Sequence, residues 1–367
     1  MGHYVAQLLG ALRHEQAAVA VEPFLAAFLP APKPRMKAYH GTTNRPAKPS
    51  LVQRARSSWR LRRVLQGAYR TAFRARACGY DLYHEPNHIP IRCGVPTVTT
   101  IHDLSVLLHP TWHPADRVRW YEREFAAGVR QTRRFIAASE FTKREMIQHL
   151  GLSPDVIDVT YQAPRPAFCS SDADAARHVR QQLGLPERFF LFVGTLEPRK
   201  NVPGLLAAFA ALPRTLRQQT PLVLVGDWGW QTDTLAASLH AHDIGGEVRL
   251  VGYLHDDALA ALYSTCTALV WPTFYEGFGL PPLEALACGC PVIVSNAASL
   301  PEVVGDAGVL LDPRDEPAWT AALRRMAEDA DWQQQWRQRG LQRAATFSWP
   351  RCARETIACY RRALAAP

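Results

Sequence analysis

Two glutamates, Glu276 and Glu284, stand eight positions apart on either side of a glycine-rich stretch. Between them, Gly277 and Gly279 let the backbone come close to a ligand and leave N–H groups free to point at it. The Pro-Pro pair that follows suits the first turn of a helix, in which Glu284 also lies. Two carboxylates and a nest of N–H donors around a helix N-terminus could hold a polyhydroxylated ligand that also carries phosphate.

A second segment, Phe192 to Asn201, joins a predicted buried strand to a predicted helix. Gly194 allows close backbone approach at the end of the strand, and Asn201 can cap the helix. Arg199 and Lys200 then stand at a helix N-terminus, where the backbone dipole and the side-chain charges both attract a diphosphate. Two surface cations near a turn would give the same sequence, so the diphosphate site is a prediction.

Further polar residues follow predicted strands in the first half of the chain. His102 follows the apolar strand from Pro96 to Ile101, and Asp103 comes next. Ligands of open parallel sheets lie beyond the carboxyl ends of the strands, which makes both residues candidates. A lone histidine is more often structural than catalytic, and Asp103 could orient it or cap the next turn. Ser139 follows another strand, and a cap on the helix that begins at Glu140 is its favoured role, with a place in the cleft as the alternative.

Apolar runs alternate with helical periodicity, which predicts an α/β protein with parallel sheets. In the first half, strands are expected to end near residues 84, 101, 138 and 161, with helices over 4–12, 117–134 and 140–150. A polar connector over 163–186, with a helix over 173–183, leads to strands at 189–193, 222–225, 248–251, 268–271, 292–294 and 309–311. The helices between them are expected at about 203–212, 232–241, 257–264, 282–288, 299–304 and 316–329, and a last amphipathic helix over 348–365.

The chain has 367 residues, enough for two domains that each bury a core. No apolar run approaches the roughly 20 residues that a helix needs to cross a bilayer. The N-terminus lacks the pattern of a signal peptide, and the eight cysteines form no zinc-type CxxC pair. The sequence therefore predicts a cytoplasmic protein with reduced cysteines.

The net charge of +9 is unevenly spread, with a basic stretch from residue 33 to residue 76. From Pro23 to Tyr80 there is no aspartate or glutamate, whereas thirteen lysines and arginines interleave with apolar residues. We expect a loop over 31–50 and then one or two basic amphipathic helices. An anionic membrane surface is the favoured partner, because each basic residue near it adds about 1 kcal/mol of attraction. An ordinary solvated helix face is the alternative, and nucleic acid is not expected as a partner.

The string from Thr273 to Val294 closely resembles the donor-site signature of retaining glycosyltransferases of family 4 (GT4), which have the GT-B fold. Other segments resemble motifs of this family in the same order: 84–87, 99–105, 138–143, 192–201, 251–254 and the tail 347–354. The resemblance implies two Rossmann-like domains that face a cleft, an N-terminal acceptor-side domain over 1–168 and a nucleotide-sugar domain over 169–347. It also implies that a C-terminal helix, 348–367, crosses back onto the first domain.

The resemblance implies roles for individual residues. Glu276 would bind hydroxyls of the donor sugar, Glu284 would hold the ribose hydroxyls, and His102 would contact the transferred sugar or stabilise positive charge at its anomeric carbon. The candidate catalytic residues are thus His102 and Glu276. The donor-binding candidates are Gly194, Thr195, Arg199, Lys200, Tyr253, Leu254, Gly277, Phe278, Gly279, Leu280 and Glu284. The acceptor-side candidates are His84, Asn87, Asp103 and Ser139.

The implied reaction is retaining transfer of a hexose from a GDP-, UDP- or dTDP-linked sugar, without a cofactor or a metal. Fixed cations can stabilise the departing diphosphate, and its oxygen would help to deprotonate the acceptor hydroxyl. Metal-dependent transferases of the GT-A fold use an Asp-x-Asp motif at a strand end. Here Asp172-x-Asp174 lies in the polar connector and Asp329-x-Asp331 in a predicted amphipathic helix, so we expect no metal site.

The His-Asp-Leu-Ser segment at 102–105 looks like that of mannosyl- and rhamnosyltransferases of surface-polysaccharide and lipopolysaccharide assembly. This likeness makes mannose from GDP-mannose the first expectation for the donor. A lipid-linked oligosaccharide is the expected acceptor, which fits the basic stretch and predicts a peripheral position at the inner face of the cytoplasmic membrane.

The N-terminus departs from the family pattern, which opens with a strand and a glycine-rich loop before the first helix. Residues 1–9 look like that helix already under way, so the first strand is expected to be missing. A misplaced start codon, a natural truncation and a rearranged sheet would all fit. Other functions stay open: a glycosidase-like carboxylate pair, a GT-B epimerase or phosphorylase, and a non-catalytic scaffold that resembles a glycosyltransferase.

Overall fold

The structure is a computed structural model that describes residues 2–15, 18–24, 59–169, 173–230, 237–238 and 241–365. Of residues 59–66 and 173, only the backbone conformation is described. The loop predicted over 31–50, the basic stretch before residue 59 and most of the helix predicted over 232–241 therefore lie outside the described residues. Two parallel sheets form the centres of two α/β units, as the alternating pattern predicts.

The first unit has a four-stranded sheet in the order β1-β2-β3-β4, all parallel. Its strands are β1 (Tyr83–Glu85), β2 (Thr97–Ile101), β3 (Arg134–Ala137) and β4 (Ile157–Val159). Its helices are α1 (Gly2–His14), α2 (Trp59–Ala77), α3 (Ser105–Leu108), α4 (Ala115–Gln131) and α5 (Glu140–Leu150). The helix expected to reach residue 134 ends at Gln131, because the chain already enters β3 at Arg134. The bounds of α5 are as predicted, with Gly151 in the left-handed conformation at φ 65°.

The second unit has a six-stranded parallel sheet in the order β10-β9-β8-β5-β6-β7. Its strands are β5 (Phe190–Val193), β6 (Leu222–Val225), β7 (Val248–Gly252), β8 (Ala268–Trp271), β9 (Val292–Ser295) and β10 (Val309–Leu311). Its helices are α6 (Ala173–Gln182), α7 (Val202–Ala210), α8 (Arg214–Gln219), α9 (Asp256–Thr265), α10 (Leu280–Ala287), α11 (Leu300–Val304), α12 (Glu316–Glu328) and α13 (Ala330–Ala344). The strand order reverses between β5 and β8, and ligands of such sheets bind beyond the carboxyl ends of the strands at that point.

Two helices of the second unit, α8 and α13, are absent from the sequence prediction. In α13 the apolar positions are sparse and glutamines are frequent, so the sequence shows little periodicity. Packing forms the helix instead: a Cβ at Gly340 would lie 2.8 Å from the side chain of Leu286 in α10. Asp329 caps α13, since its carboxylate accepts a hydrogen bond from the Trp332 N–H at 2.9 Å. The Asp329-x-Asp331 pair was predicted to lie within one amphipathic helix, but Asp329 lies at the boundary between α12 and α13.

The helix α2 carries six arginines and no acidic residue, which agrees with the predicted basic helix. In its described part, Phe73 is buried and Arg70 pairs with Glu124 of α4 at 3.1 Å, so one face packs on the first unit. Arg76 forms an ion pair with Glu22, and both side chains are exposed. Across the described ranges, every helix is either too short or too polar to cross a bilayer.

The last helix, α14 (Trp349–Ala365), leaves the second unit and packs on the first, as expected for the C-terminal helix. It lies against α1 and against strands β2 and β3. The Trp349 indole N–H donates to the carbonyl of Pro164 at 3.0 Å, which joins the two segments where the chain passes between units. Its buried residues include Trp349, Cys352, Ala353, Ile357, Tyr360 and Ala363.

We expect Trp349→Ala to lower the free energy of unfolding by about 3–5 kcal/mol, because it leaves a cavity between α14 and the first unit. Trp349→Phe keeps most of the packing and loses only the hydrogen bond to Pro164. It should therefore lower the free energy of unfolding by about 1 kcal/mol. Urea denaturation followed by circular dichroism measures both. An equally small loss in the two variants would contradict the role of α14 as part of the first unit.

Candidate active site

The loops that leave β5 and β8 meet at the point where the strand order of the second sheet reverses. The carbonyl of Arg199, in the loop after β5, accepts hydrogen bonds from the Thr273 hydroxyl at 2.9 Å and from the Phe274 N–H at 2.8 Å. Both donors lie in the loop after β8. The two segments that the sequence marked separately therefore form one structure.

Glu276 is the centre of this structure and is only 7% exposed. One carboxylate oxygen lies 3.0 Å from Nη1 of Arg199, and the other pairs with Nζ of Lys200. Burial alone would raise the pKa of Glu276, but Arg199 and Lys200 outweigh it, so that the pKa lies below its ordinary value. The carboxylate is thus ionised and fixed in place by two cations from the neighbouring loop.

The two cations lie in a short 3-10 turn, Pro198–Lys200, one residue before α7. Arg199 also pairs with Glu197, and Nζ of Lys200 lies 4.5 Å from the centre of the Trp271 ring. Asn201 occupies the N-cap position in the left-handed conformation at φ 53°, but its side chain makes no cap hydrogen bond. Its amide donates instead to the carbonyl of Pro313 at 2.8 Å, so the predicted side-chain cap is wrong.

Gly277 approaches the backbone of the first unit rather than an open ligand site. A Cβ at this position would lie 1.8 Å from the carbonyl oxygen of His102 and 2.8 Å from Cβ of Asp103. The hydroxyl of Ser139 donates to the carbonyl of Gly277 at 2.7 Å. The close approach that requires glycine in this conformation is between the two units, and the contact of Gly277 with a ligand stays a prediction. Gly279, in contrast, has φ 106° at the start of α10, a conformation that favours glycine.

His102 lies at the carboxyl end of β2, as predicted, and is held by two partners. Its Nε2–H donates to the carbonyl of Pro86 at 2.9 Å, since a carbonyl can only accept. Nδ1 then accepts from the Gln162 amide at 3.3 Å. Burial lowers the pKa of His102 to about 3, so the ring is neutral. A neutral imidazole would not repel positive charge that develops on a sugar, whereas an imidazolium would.

Asp103 and Ser139 both have capping geometry, one of the two interpretations that the sequence left open for each. Asp103 accepts hydrogen bonds from the Ser105 N–H at 2.8 Å and from the Ser105 hydroxyl at 2.7 Å. Burial would raise the pKa of Asp103, yet nearby Arg199 and His88 bring it to about 2. Ser139 is fully buried and accepts from the Thr142 N–H at 3.1 Å at the start of α5.

His84 and Asn87, the other acceptor-side candidates, differ in exposure. Both ring nitrogens of His84 are engaged within the first unit, with Tyr360 Oη at 2.7 Å and Thr100 Oγ1 at 2.8 Å. Burial lowers the pKa of His84 to about 4. In this conformation His84 thus supports the packing of α14 and has no ring nitrogen left for an acceptor. Asn87 is exposed, and its backbone N–H donates to Glu85.

The remaining donor-side candidates all lie in the second unit. Tyr253 is 57% exposed and Leu254 is partly buried against the core. The Phe278 ring is buried, at a centroid distance of 6.2 Å from Tyr161 and 6.0 Å from Phe347, so it packs between the units. The others are Gly194, which follows β5 at φ 153°, exposed Thr195, and Leu280, the first residue of α10.

Glu284 lies in the second turn of α10, one turn later than predicted, and is 2% exposed. Both of its oxygens are taken by Arg165 of the first unit. Nε of Arg165 lies 2.6 Å from Oε1 and Nη2 lies 3.0 Å from Oε2. Burial raises the pKa of Glu284 in spite of this partner. Sequence reasoning missed Arg165, which stands in a connector without a motif.

Two further contacts between the units also escaped the sequence. The hydroxyl of Tyr275 accepts from the Leu104 N–H at 3.0 Å and donates to Glu145 of α5. Glu302 of α11 accepts from the Glu140 N–H at 2.6 Å and from the Phe141 N–H at 3.0 Å. A carboxylate at a helix N-terminus is stabilised by the helix dipole. No periodicity or motif signals such pairs, because each joins residues more than a hundred positions apart.

Among the described residues, no three His, Cys, Asp or Glu side chains lie close enough together to bind a metal ion. Cationic groups near Glu276 come instead from Arg199 and Lys200. The geometry therefore offers buried carboxylates and fixed cations where the loops after β5 and β8 meet the first unit.

The comparisons with known proteins agree with this architecture. The family described as "Glycosyl transferases group 1" matches residues 176–343, and "Glycosyltransferase Family 4" matches residues 1–163. The O-antigen chain mannosyltransferase B of Escherichia coli is 39% identical over 282 residues, which cover 76% of this chain and 74% of that protein.

Among solved structures, sucrose-phosphate synthase from Thermosynechococcus elongatus is similar with a TM-score of 0.68 and 25% identity, over 83% of this chain and 79% of that one. WaaG, a glycosyltransferase involved in lipopolysaccharide biosynthesis, has a TM-score of 0.67 and 19% identity, over 82% of this chain and 83% of that one. These similarities confirm the expected GT-B fold, while the division at residues 168 and 347 stays a prediction.

We expect Gly277→Ala to separate the loop after β8 from β2, because the added methyl group would overlap the carbonyl of His102. The loss of close packing should lower the free energy of unfolding by about 1–3 kcal/mol. Small-angle X-ray scattering should show a larger radius of gyration. Gly245→Ala is the matched control, since a Cβ there meets no atom within 4 Å. Equal behaviour of the two variants would contradict the close contact between the units.

Proposed function

This chain belongs to the group 1 and family 4 glycosyltransferases, and we propose that it transfers mannose from GDP-mannose to a growing surface polysaccharide. Transfer would retain the anomeric configuration and need no metal. The name of the Escherichia coli relative, an O-antigen chain mannosyltransferase, supports both the sugar and the kind of product. It also fits the His-Asp-Leu-Ser segment that suggested a mannosyltransferase.

The observation that carries the proposal is the fixed pairing of Glu276 with Arg199 and Lys200. In the proposed site the carboxylate accepts hydroxyl hydrogens of the donor sugar. The two cations, brought there by the same pairing, lie where negative charge develops on the departing diphosphate. Preorganised charges of this kind stabilise a transition state without reorganisation, which is the task a metal performs in other transferases.

Retention is proposed to proceed by attack from the same face as the leaving group. A double displacement would need a free carboxylate nucleophile close to the anomeric carbon. Glu276 and Glu284 are both held by cations, which lowers their nucleophilicity and disfavours a glycosidase-like pair. In the front-side route the departing phosphate oxygen takes the acceptor proton, so that no protein base is required.

The acceptor is proposed to be a lipid-linked oligosaccharide, reached from the inner face of the cytoplasmic membrane. Support comes from α2, whose arginines are not balanced by any acid within the helix. Positive charge of this density is attracted to anionic lipid headgroups. The protein would thus be peripheral, with the cleft near its membrane-bound acceptor.

We expect Glu276→Ala to reduce mannose transfer by at least about 100-fold, because it removes the carboxylate that aligns the sugar and positions both cations. Radiolabelled GDP-mannose and a lipid-linked acceptor measure the rate, with and without EDTA. Glu328→Ala, at an exposed site on α12, is the control and should keep the wild-type rate. Wild-type turnover in Glu276→Ala would refute the site, and loss of activity in EDTA would refute metal independence.

The same assay distinguishes other functions. Turnover that depends on inorganic phosphate would identify a phosphorylase. No nucleotide release from GDP-mannose, UDP-glucose or dTDP-rhamnose, together with retained vesicle binding, would identify a non-catalytic scaffold. Thermal stabilisation by GDP, UDP and dTDP, compared at saturating concentration, reports the base independently of the acceptor.

Reversal of Arg60, Arg62 and Arg63 to Glu is expected to weaken binding to phosphatidylglycerol vesicles at least tenfold. The reason is the loss of about 1 kcal/mol of attraction for each basic residue near the surface. Vesicle co-sedimentation at fixed salt gives the partition coefficient. Reversal of three exposed arginines elsewhere, Arg177, Arg324 and Arg325, is the charge-matched control. Equal loss in both triple variants would mean that only net charge matters.

A further inference from the structure

Arg165, in the connector between the units, is a cation to which the description of the site gives no function. Its side chain is 12% exposed and reaches into the second unit, where it takes both oxygens of Glu284. It also donates to Asp256, at the start of α9, at 2.6 Å. Its guanidinium lies over the ring of Phe168 at 4.4 Å.

The guanidinium and a nucleotide's ribose can each offer two hydrogen-bond donors to the two carboxylate oxygens of Glu284. A planar fork presents two N–H groups to the two carboxylate oxygens. The vicinal hydroxyls of a ribose present two O–H groups to the same pair of atoms. A carboxylate as buried as Glu284 cannot remain without a partner, because an unpaired buried charge is strongly destabilising. Arg165 supplies this partner in the free protein, and the ribose hydroxyls are donors that can replace it.

We propose that Arg165 sets the donor affinity of this enzyme by occupying the ribose position on Glu284 until a nucleotide sugar displaces it. The proposal rests on the proposed function, in which Glu284 holds the ribose. Arg165 is then a positioning residue: it keeps Glu284 ionised and oriented in the free protein, and it leaves when the nucleotide arrives.

The remaining contacts of Arg165 make this exchange feasible. Asp256 and the Phe168 ring hold the guanidinium on sides other than the one that faces Glu284, so its charge stays compensated after it moves. Glu284 gains the two ribose hydroxyls in return. The exchange reduces the apparent affinity for every nucleotide by the same factor, namely the fraction of molecules in which Glu284 is free.

The test compares dissociation constants for GDP and UDP with those for their 2′-deoxy counterparts, by isothermal titration calorimetry on the full chain. Wild-type protein should bind the ribonucleotide at least about fivefold more tightly, because the deoxy compound leaves one buried oxygen without a donor. Arg165→Gln should tighten both compounds by about tenfold and leave their ratio unchanged, since both displace the same guanidinium. Glu284→Gln should bring the ratio close to one.

Two variants complete the design. Arg177→Gln, an exposed arginine on α6, is the matched control and should change neither constant. Arg165→Lys keeps one positive charge but loses the fork, and should tighten binding by about threefold. It replaces Arg165→Gln if that variant fails to fold.

The outcomes separate the exchange from the function on which it rests. Unchanged or weaker nucleotide binding in Arg165→Gln and Arg165→Lys overturns the exchange, because Arg165 would then be structural or bind the nucleotide itself. Equal binding of the ribo and deoxy compounds by the wild-type protein refutes the ribose role of Glu284. Absence of nucleotide binding in the wild type and both variants refutes the donor site as a whole.

Discussion

The ion pairs of Glu276 with Arg199 and Lys200 are the interaction on which the site depends. A carboxylate with 7% exposure is stable only because two cations approach it from the loop after β5. That approach requires the loops after β5 and β8 to lie side by side, which they do because β5 and β8 are neighbouring parallel strands in the sheet. The order of the strands in the sheet therefore decides whether Glu276 meets the two cations that stabilise it.

A second constraint is the closeness of the two units. Gly277 meets the carbonyl of His102 at a distance that admits no side chain, and Ser139 ties the same loop to α5. These contacts bring polar groups from both sheets to one cleft. His102 lies beneath these contacts, and burial keeps its ring neutral, while Pro86 and Gln162 hydrogen-bond to the two ring nitrogens.

Local pattern was enough to predict the second sheet, whose strands agree with the sequence prediction to within one residue at each end. Apolar runs bounded by glycine and proline specify such strands with little help from the rest of the chain. The local sequence pattern gave wrong or missing predictions where tertiary packing determines the structure. The helix α13 has few apolar positions and forms against α10, and Asn201 bonds Pro313 instead of capping its own helix.

Part of the site was also predictable from short stretches of sequence. Glu276, Arg199 and Lys200 lie in short segments with distinctive glycines, and the structure brings them together. Arg165 and Glu302 act through partners more than a hundred residues away, and only the fold reveals them. Ser139 and Asp103 show a different limit: a polar residue after a strand can cap a turn or meet a ligand, and sequence alone leaves both interpretations open.

The crossing of α14 onto the first unit has a mechanical consequence. The chain passes between the units twice, once near Pro164 and once near Trp349, and the indole of Trp349 bonds the carbonyl of Pro164. Where the other contacts between the units are broken, two joined crossings allow rotation about a line through that bond but oppose sliding of the units apart. Any opening of the cleft is then a swing, largest at the edge farthest from this pivot. Residues close to the pivot, such as Arg165, would change their orientation toward the second unit slightly. Their distance from it would change little.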